Sequence, residues 1–199
     1  VTRRLIAALC AVVALAGCGT LGGGNDHSPT DVPSTTTSSP PSPPADPADV
    51  DIPKLAVHST LVPLGLAPDK SLATPDVYHP EQVGYYHQGT NGVLPGAPGP
   101  ALIVAHRDGG KREGAFWRLG ELTNGDQVFV DLTDHTRLTF TVYRTLHVDK
   151  GTFPTTEVFH DTDDPEARLV TCSGKFIGGS IGYAQNTIVF AKLTKSDKI

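Results

Sequence analysis

Short alternating or β-branched segments recur through residues 51–199 with almost no helix-length run between them, and this spacing is what most limits the fold. From Ile52 to Leu64 the alternation is broken by Pro53 and Pro63, which predicts short strands of edge character. Pro100 to Ala105 reads as a buried strand that stops in the polar cluster His106-Arg107-Asp108-Gly109. Asp126 to Leu132 and Arg137 to Arg144 alternate cleanly on either side of Asp134-His135, as a hairpin does. Arg168 to Thr171 predicts a further short strand, with Cys172 at its carboxyl end and Ser173-Gly174 turning the chain away; Asn186 to Leu193 predicts the last strand. Between them, Phe116, Trp117, Leu119 and Leu122 fit a short amphipathic helix or turn, and Phe153 to Phe159 a loop or helical turn. With 21 Gly, 17 Pro and no Met, the composition also favours strands and loops. A mainly β fold follows, a closed or nearly closed barrel with short helices.

The amino-terminal part has a different character. Residues 1–18 read as a secretory signal: Arg3-Arg4 supply charge, Leu5 to Ala16 is apolar, and small residues close the run. At about a dozen residues the run is shorter than the roughly 20 a membrane span needs. Leu15-Ala16-Gly17-Cys18 matches a lipobox, which makes Cys18 the expected lipidation site; secretory cleavage without lipid is the alternative. Residues 19–50, rich in Gly and then in Ser, Thr and Pro, cannot build a core and are expected to form a disordered linker. Such a tether reaches roughly 30 Å as a coil and about 100 Å when extended. The domain is expected over residues 51–199, extracytoplasmic and held as a lipoprotein at the outer face of the bacterial cytoplasmic membrane.

Cysteine usage separates two readings of Cys172. Cys10 lies in the signal and Cys18 at the lipobox, so Cys172 is left unpaired in the domain. A free cysteine is often core filler. An unpaired thiol in an oxidising compartment is nonetheless exposed to oxidation, which favours a nucleophile here. The formal charge of −5 offers no basic field for nucleic acid. No phosphate-binding glycine motif or zinc-type spacing occurs, and Asp161-Thr162-Asp163-Asp164 lacks the Gly and closing Glu of a calcium loop, so it reads as a solvated acidic loop. No cofactor and no metal are expected.

The succession Ile52-Pro53, Val83-Gly84-Tyr85-Tyr86, Gly99 to His106, Gly114-Ala115-Phe116, Gly125-Asp126, Arg168 to Phe176 and Tyr183 to Ala191 resembles a sortase, most closely the class F sortases of actinobacteria. The resemblance implies an eight-stranded β-barrel cysteine transpeptidase, with His106 and Cys172 facing each other on neighbouring strands. It also implies the partners: secreted proteins bearing a carboxyl-terminal sorting signal, and an amine acceptor of peptidoglycan precursor. A monomer is expected.

The chemistry suits these residues. A thiolate on Cys172 forms a thioester that an incoming amine can open. Imidazole can protonate the departing nitrogen and later deprotonate the attacking amine, and His106 is the histidine at a strand end. The other seven default to surface or structural roles. Sortases carry an arginine on the strand after the cysteine, whereas no arginine follows Arg168 here. The corresponding position is Asn186, or Ala184 in a shifted alignment; an asparagine amide can donate to an oxyanion, and Arg107 or Lys175 could compensate for the lost charge. Two alternatives stay open: a peptide-binding barrel with weakened catalysis, and a hydrolytic cysteine peptidase.

Overall fold

The computed structural model describes residues 43–88, 92–179 and 182–199. The signal, the lipobox with Cys18 and residues 19–42 of the expected linker lie outside the described residues. Eight strands close into a barrel in the order β1 (Pro47–Ile52), β2 (Val57–Leu64), β3 (Val83–Tyr86), β4 (Gly99–Ala105), β9 (Pro165–Gly178), β10 (Gly182–Lys198), β8 (Thr136–Asp149) and β7 (Gln127–Leu132), and β7 returns to pair with β1. A small hairpin, β5 (Asp108–Gly109) with β6 (Arg112–Glu113), stands just beyond β4. The single α-helix among the described residues, α1 (Thr155–Phe159), lies in the connection from β8 to β9.

Alternation explains the interior. Val128, Val130 and Leu132 of β7, Leu138, Phe140 and Val142 of β8, Ala167 and Leu169 of β9, and Val189 and Ala191 of β10 all point into one core. Each large side chain buried there contributes about 1.5–3 kcal/mol. The residues between them on β10, Ile188 and Phe190, are also buried, on the outside of the sheet, where they pack with Val158 of α1 and with Val148 and Val170. Because both faces are covered, the run Ile188 to Ala191 is apolar throughout. Val170 and Ile188 therefore mark the outer face, and that assignment sets the direction of the candidate site residues.

The structure departs from the sequence expectations in four places. The segment from Ile52 to Leu64 is not an edge: β1 pairs with β2 and β7, and β2 with β1 and β3, because closure leaves no free edge. Pro53 instead opens a 3-10 turn between β1 and β2. The first strand begins at Pro47, so the barrel includes residues 47–50 that read as linker. Arg112 to Leu122 forms β6, turns and a short 3-10 segment at Leu119–Glu121, and the buried Phe116, Leu119 and Leu122 fall three apart, the 3-10 period. Finally, β9 does not end at Cys172 but runs on to Gly178, because β10 continues to pair with it.

Candidate active site

The last position paired between the parallel strands β4 and β9 is Val104 with Val170. One residue further, the Thr171 hydroxyl donates to the Ala105 carbonyl at 2.8 Å in the buried interior, so the strands stay clamped after the ladder stops. His106 follows directly on the end of β4 and Cys172 follows Thr171 on β9, so the register that ends at Val104 and Val170, carried two residues on, sets the two at the same level. Side chains alternate along β9, so Cys172 shares the outer face with Val170 while Thr171 points inward. The thiol is free and half-buried.

His106 lies immediately past β4, and its backbone is held from the side. Its carbonyl accepts from the Phe116 amide at 3.1 Å, and the Arg107 carbonyl accepts from the Gly114 amide at 2.7 Å. A Cβ on Gly114 would sit 2.3 Å from the His106 carbonyl oxygen, so only glycine permits this approach. The side chain is held as well: Nε2 lies 2.7 Å from the carbonyl oxygen of Pro75. A carbonyl only accepts, so Nε2 carries the proton and Nδ1 is the lone-pair nitrogen of the neutral ring. The Pro75 segment is itself anchored to the small hairpin, where Arg112 donates to the Tyr78 carbonyl at 3.0 Å.

Asn186 occupies the position directly opposite Cys172 on β10, with Val148 of β8 on its other side. Residues paired directly across an antiparallel ladder share a face, with Cβ atoms about 4.5–5.5 Å apart, so Asn186 and Cys172 lie on the same face of the sheet. Beyond this pair the ladder slips. Gln185 faces Ser173 and Tyr183 faces Phe176, so β9 holds one residue more than β10 between those points. Gly174, at φ +77°, takes up the bulge. The Ser173-Gly174 pair is thus a bulge within a long hairpin rather than a turn out of the sheet.

The residues offered as substitutes for an arginine lie elsewhere. Ala184 falls at the bulge and has no donor. Lys175 is exposed on the hairpin beyond it. Arg107 lies 4.2 Å from the Trp117 ring centroid and 5.4 Å from that of Tyr183, and it lines a cavity with the inward-facing Thr171 and Ser173, behind the sheet that carries Cys172. Of these, Asn186 alone is paired directly with Cys172. The Tyr183 hydroxyl donates to Asp108, and that carboxylate raises the phenol's pKa above its ordinary value.

On the outer face, four residues before Cys172, Arg168 is 3 % exposed and ion-paired with Glu166, which also accepts from the Tyr143 hydroxyl at 2.7 Å. Burial first, and then this bond, push the Tyr143 phenol up to about 12. Sequence reasoning missed the Pro75 carbonyl and the inward contact of Thr171, since neither has a residue-type signature. The glycine of Gly114-Ala115-Phe116 was visible without its reason.

A family model described as the sortase domain matches residues 50–194. The fold is similar to sortase A of Listeria monocytogenes, with a TM-score of 0.55 and 14 % identity over 76 % of this chain and 89 % of that one. It is also similar to a lid mutant of sortase A from Corynebacterium diphtheriae, with a TM-score of 0.58 and 17 % identity over 76 % and 71 % of the two chains. The SrtA sortase of Actinomyces oris aligns with a TM-score of 0.55 and 22 % identity over 81 % and 89 %. No curated protein sequence matches the chain.

Proposed function

Since the chain belongs to the sortase family and is thereby a cysteine transpeptidase, we propose that Cys172, His106 and Asn186 are the groups that carry the reaction. The Cys172 thiol gives its proton to the His106 ring, and the resulting thiolate attacks the carbonyl carbon of a peptide bond in a sorting signal near a secreted protein's carboxyl terminus. The oxyanion that forms accepts a hydrogen bond from the Asn186 amide. His106 gives a proton to the departing amide nitrogen, the C–N bond breaks, and a thioester to Cys172 remains. An amine, here that of peptidoglycan precursor, attacks the thioester; His106 takes its proton and the thiolate leaves as the new amide forms. The observation that supports this reading is the position of Cys172, paired with Asn186 on β10, on a strand whose parallel neighbour β4 leads directly into His106.

The test is the fate of the acyl group when the purified chain meets sorting-signal peptides and an added amine. Amide product that depends on Cys172 is expected. Release of free acid alone would favour the peptidase reading, and no Cys172-dependent cleavage of any such peptide would reject both. A second reading, a barrel that binds peptides and turns over poorly, is motivated by the neutral side chain at Asn186. A Cys172→Ala chain that keeps its biological role would support it.

The ordered motif pieces from Ile52 to Ala191 support membership of class F in particular. Tethering at the outer face of the cytoplasmic membrane rests on the lipobox Leu15 to Cys18 and the linker after it. Cys18→Ser is expected to abolish incorporation of a radioactive fatty acid, and a labelled mutant would contradict the lipid anchor.

A further inference from the structure

The cavity behind the candidate active site has its own chemistry. It measures about 240 Å³ and is lined by Arg107, Trp117, Arg118, His147, Ser173 and Thr187, with Glu121 at its wall. Two polar atoms there are buried and unpartnered among the described residues: Nε of Arg107 and the hydroxyl of Ser173, a residue 6 % exposed. A guanidinium N–H only donates, and a serine hydroxyl can donate, so both orphans suit an acceptor. The charges agree. Glu121 is taken up by Arg118 through bonds of 2.9 and 2.5 Å, whereas Arg107 has ring faces and the Tyr183 hydroxyl as neighbours and no carboxylate partner among the described residues. His147 is held through Nδ1 by the Thr187 hydroxyl at 2.9 Å, and its ring packs over Gly120. The volume is several times the roughly 30 Å³ share of one water, enough for a small organic acid.

We propose that this cavity binds a small oxyanion, a carboxylate or a phosphate, gripped by the Arg107 guanidinium and the Ser173 hydroxyl. Stacking on Trp117 holds the guanidinium in place, which lowers the ordering cost of a charge-assisted bond. The site lies on the face of β9 opposite Cys172 and adds to the transpeptidase without depending on how that reaction proceeds.

Trp117 is the single tryptophan of the chain and lies 4.2 Å from the Arg107 guanidinium, so its emission reports on the site. The experiment titrates the full chain with inorganic phosphate and, separately, with acetate at ionic strength held constant by sodium chloride, and repeats both by calorimetry. A saturable change is expected with at least one anion. Arg107→Gln is expected to weaken it roughly tenfold or more, and Ser173→Ala to weaken it by less. Saturation by phosphate alone assigns the site to phosphoryl groups, by acetate alone to carboxylates, and by both to oxyanions generally. No saturation beyond the chloride control, or unchanged binding in Ser173→Ala and in Arg107→Gln where it folds, overturns the proposal.

Discussion

At the residue scale, Cys172, His106 and Asn186 and the contacts that aim them carry the proposed reaction. Asn186, paired with Cys172, is the proposed oxyanion donor, offering a hydrogen bond without a charge. Asn186→Ala is expected to raise the barrel's reaction barrier by about 2.7–4 kcal/mol, read as a fall in kcat with little change in KM. Thr171 works from the other side of the sheet. Thr171→Val leaves the buried Ala105 carbonyl without the hydroxyl and is expected to cost about 1–3 kcal/mol in denaturant unfolding. The places of Cys172 and His106, each at the end of an apolar run on neighbouring strands, were legible in the sequence. Pro75 was not, since any residue supplies a carbonyl and this one lies 31 positions from the histidine it holds.

Among the elements, the long β9–β10 hairpin decides most. Ser173-Gly174 looked like a turn because local sequence reports the need for a positive φ but not its purpose. The partner strand ten and more residues later converts the same glycine into a bulge. A Cβ at Gly174 would lie 2.6 Å from the Gln185 Oε1 atom in addition to the strain of φ +77°. Gly174→Ala is therefore expected to destabilise the chain by about 1–2 kcal/mol or more, measured by chemical denaturation. At the far end of β10, Lys198 donates to Asp134 at 2.8 Å, and this bond, with that from Thr136, holds the Asp134 carboxyl at about 2, below its ordinary 3.8. A carboxyl lowered on folding stabilises above its unfolded pKa, and the contribution is lost as pH falls from about 4 through about 2. Both groups are exposed, so the effect is small and weakened by salt. Acid titration of stability is expected to show Asp134→Asn with a shallower fall in that window than the parent chain.

For the whole molecule, closure is what the segments could not announce individually. Periodicity identified the β7–β8 hairpin, β4 and the last strand, because each alternation is local. It read residues 52–64 as edges, because the partners that flank β1 and β2, β7 and β3, lie further along the chain. The closed barrel holds β4 and β9 parallel and adjacent, and this relation alone brings a histidine and a cysteine 66 residues apart in sequence to the same level. Deleting residues 43–52 removes β1 and opens β2 and β7 at once. Loss of the cooperative thermal transition is the expected result.

The most direct measurement is the intact mass of the chain after brief reaction with a library of sorting-signal peptides and no added amine, followed by proteolysis to locate the adduct. The account predicts a mass increase equal to the acyl fragment of one peptide, placed as a thioester on Cys172, cleared by added amine, and absent from Cys172→Ala. An adduct on another residue, or turnover by Cys172→Ala, would contradict it.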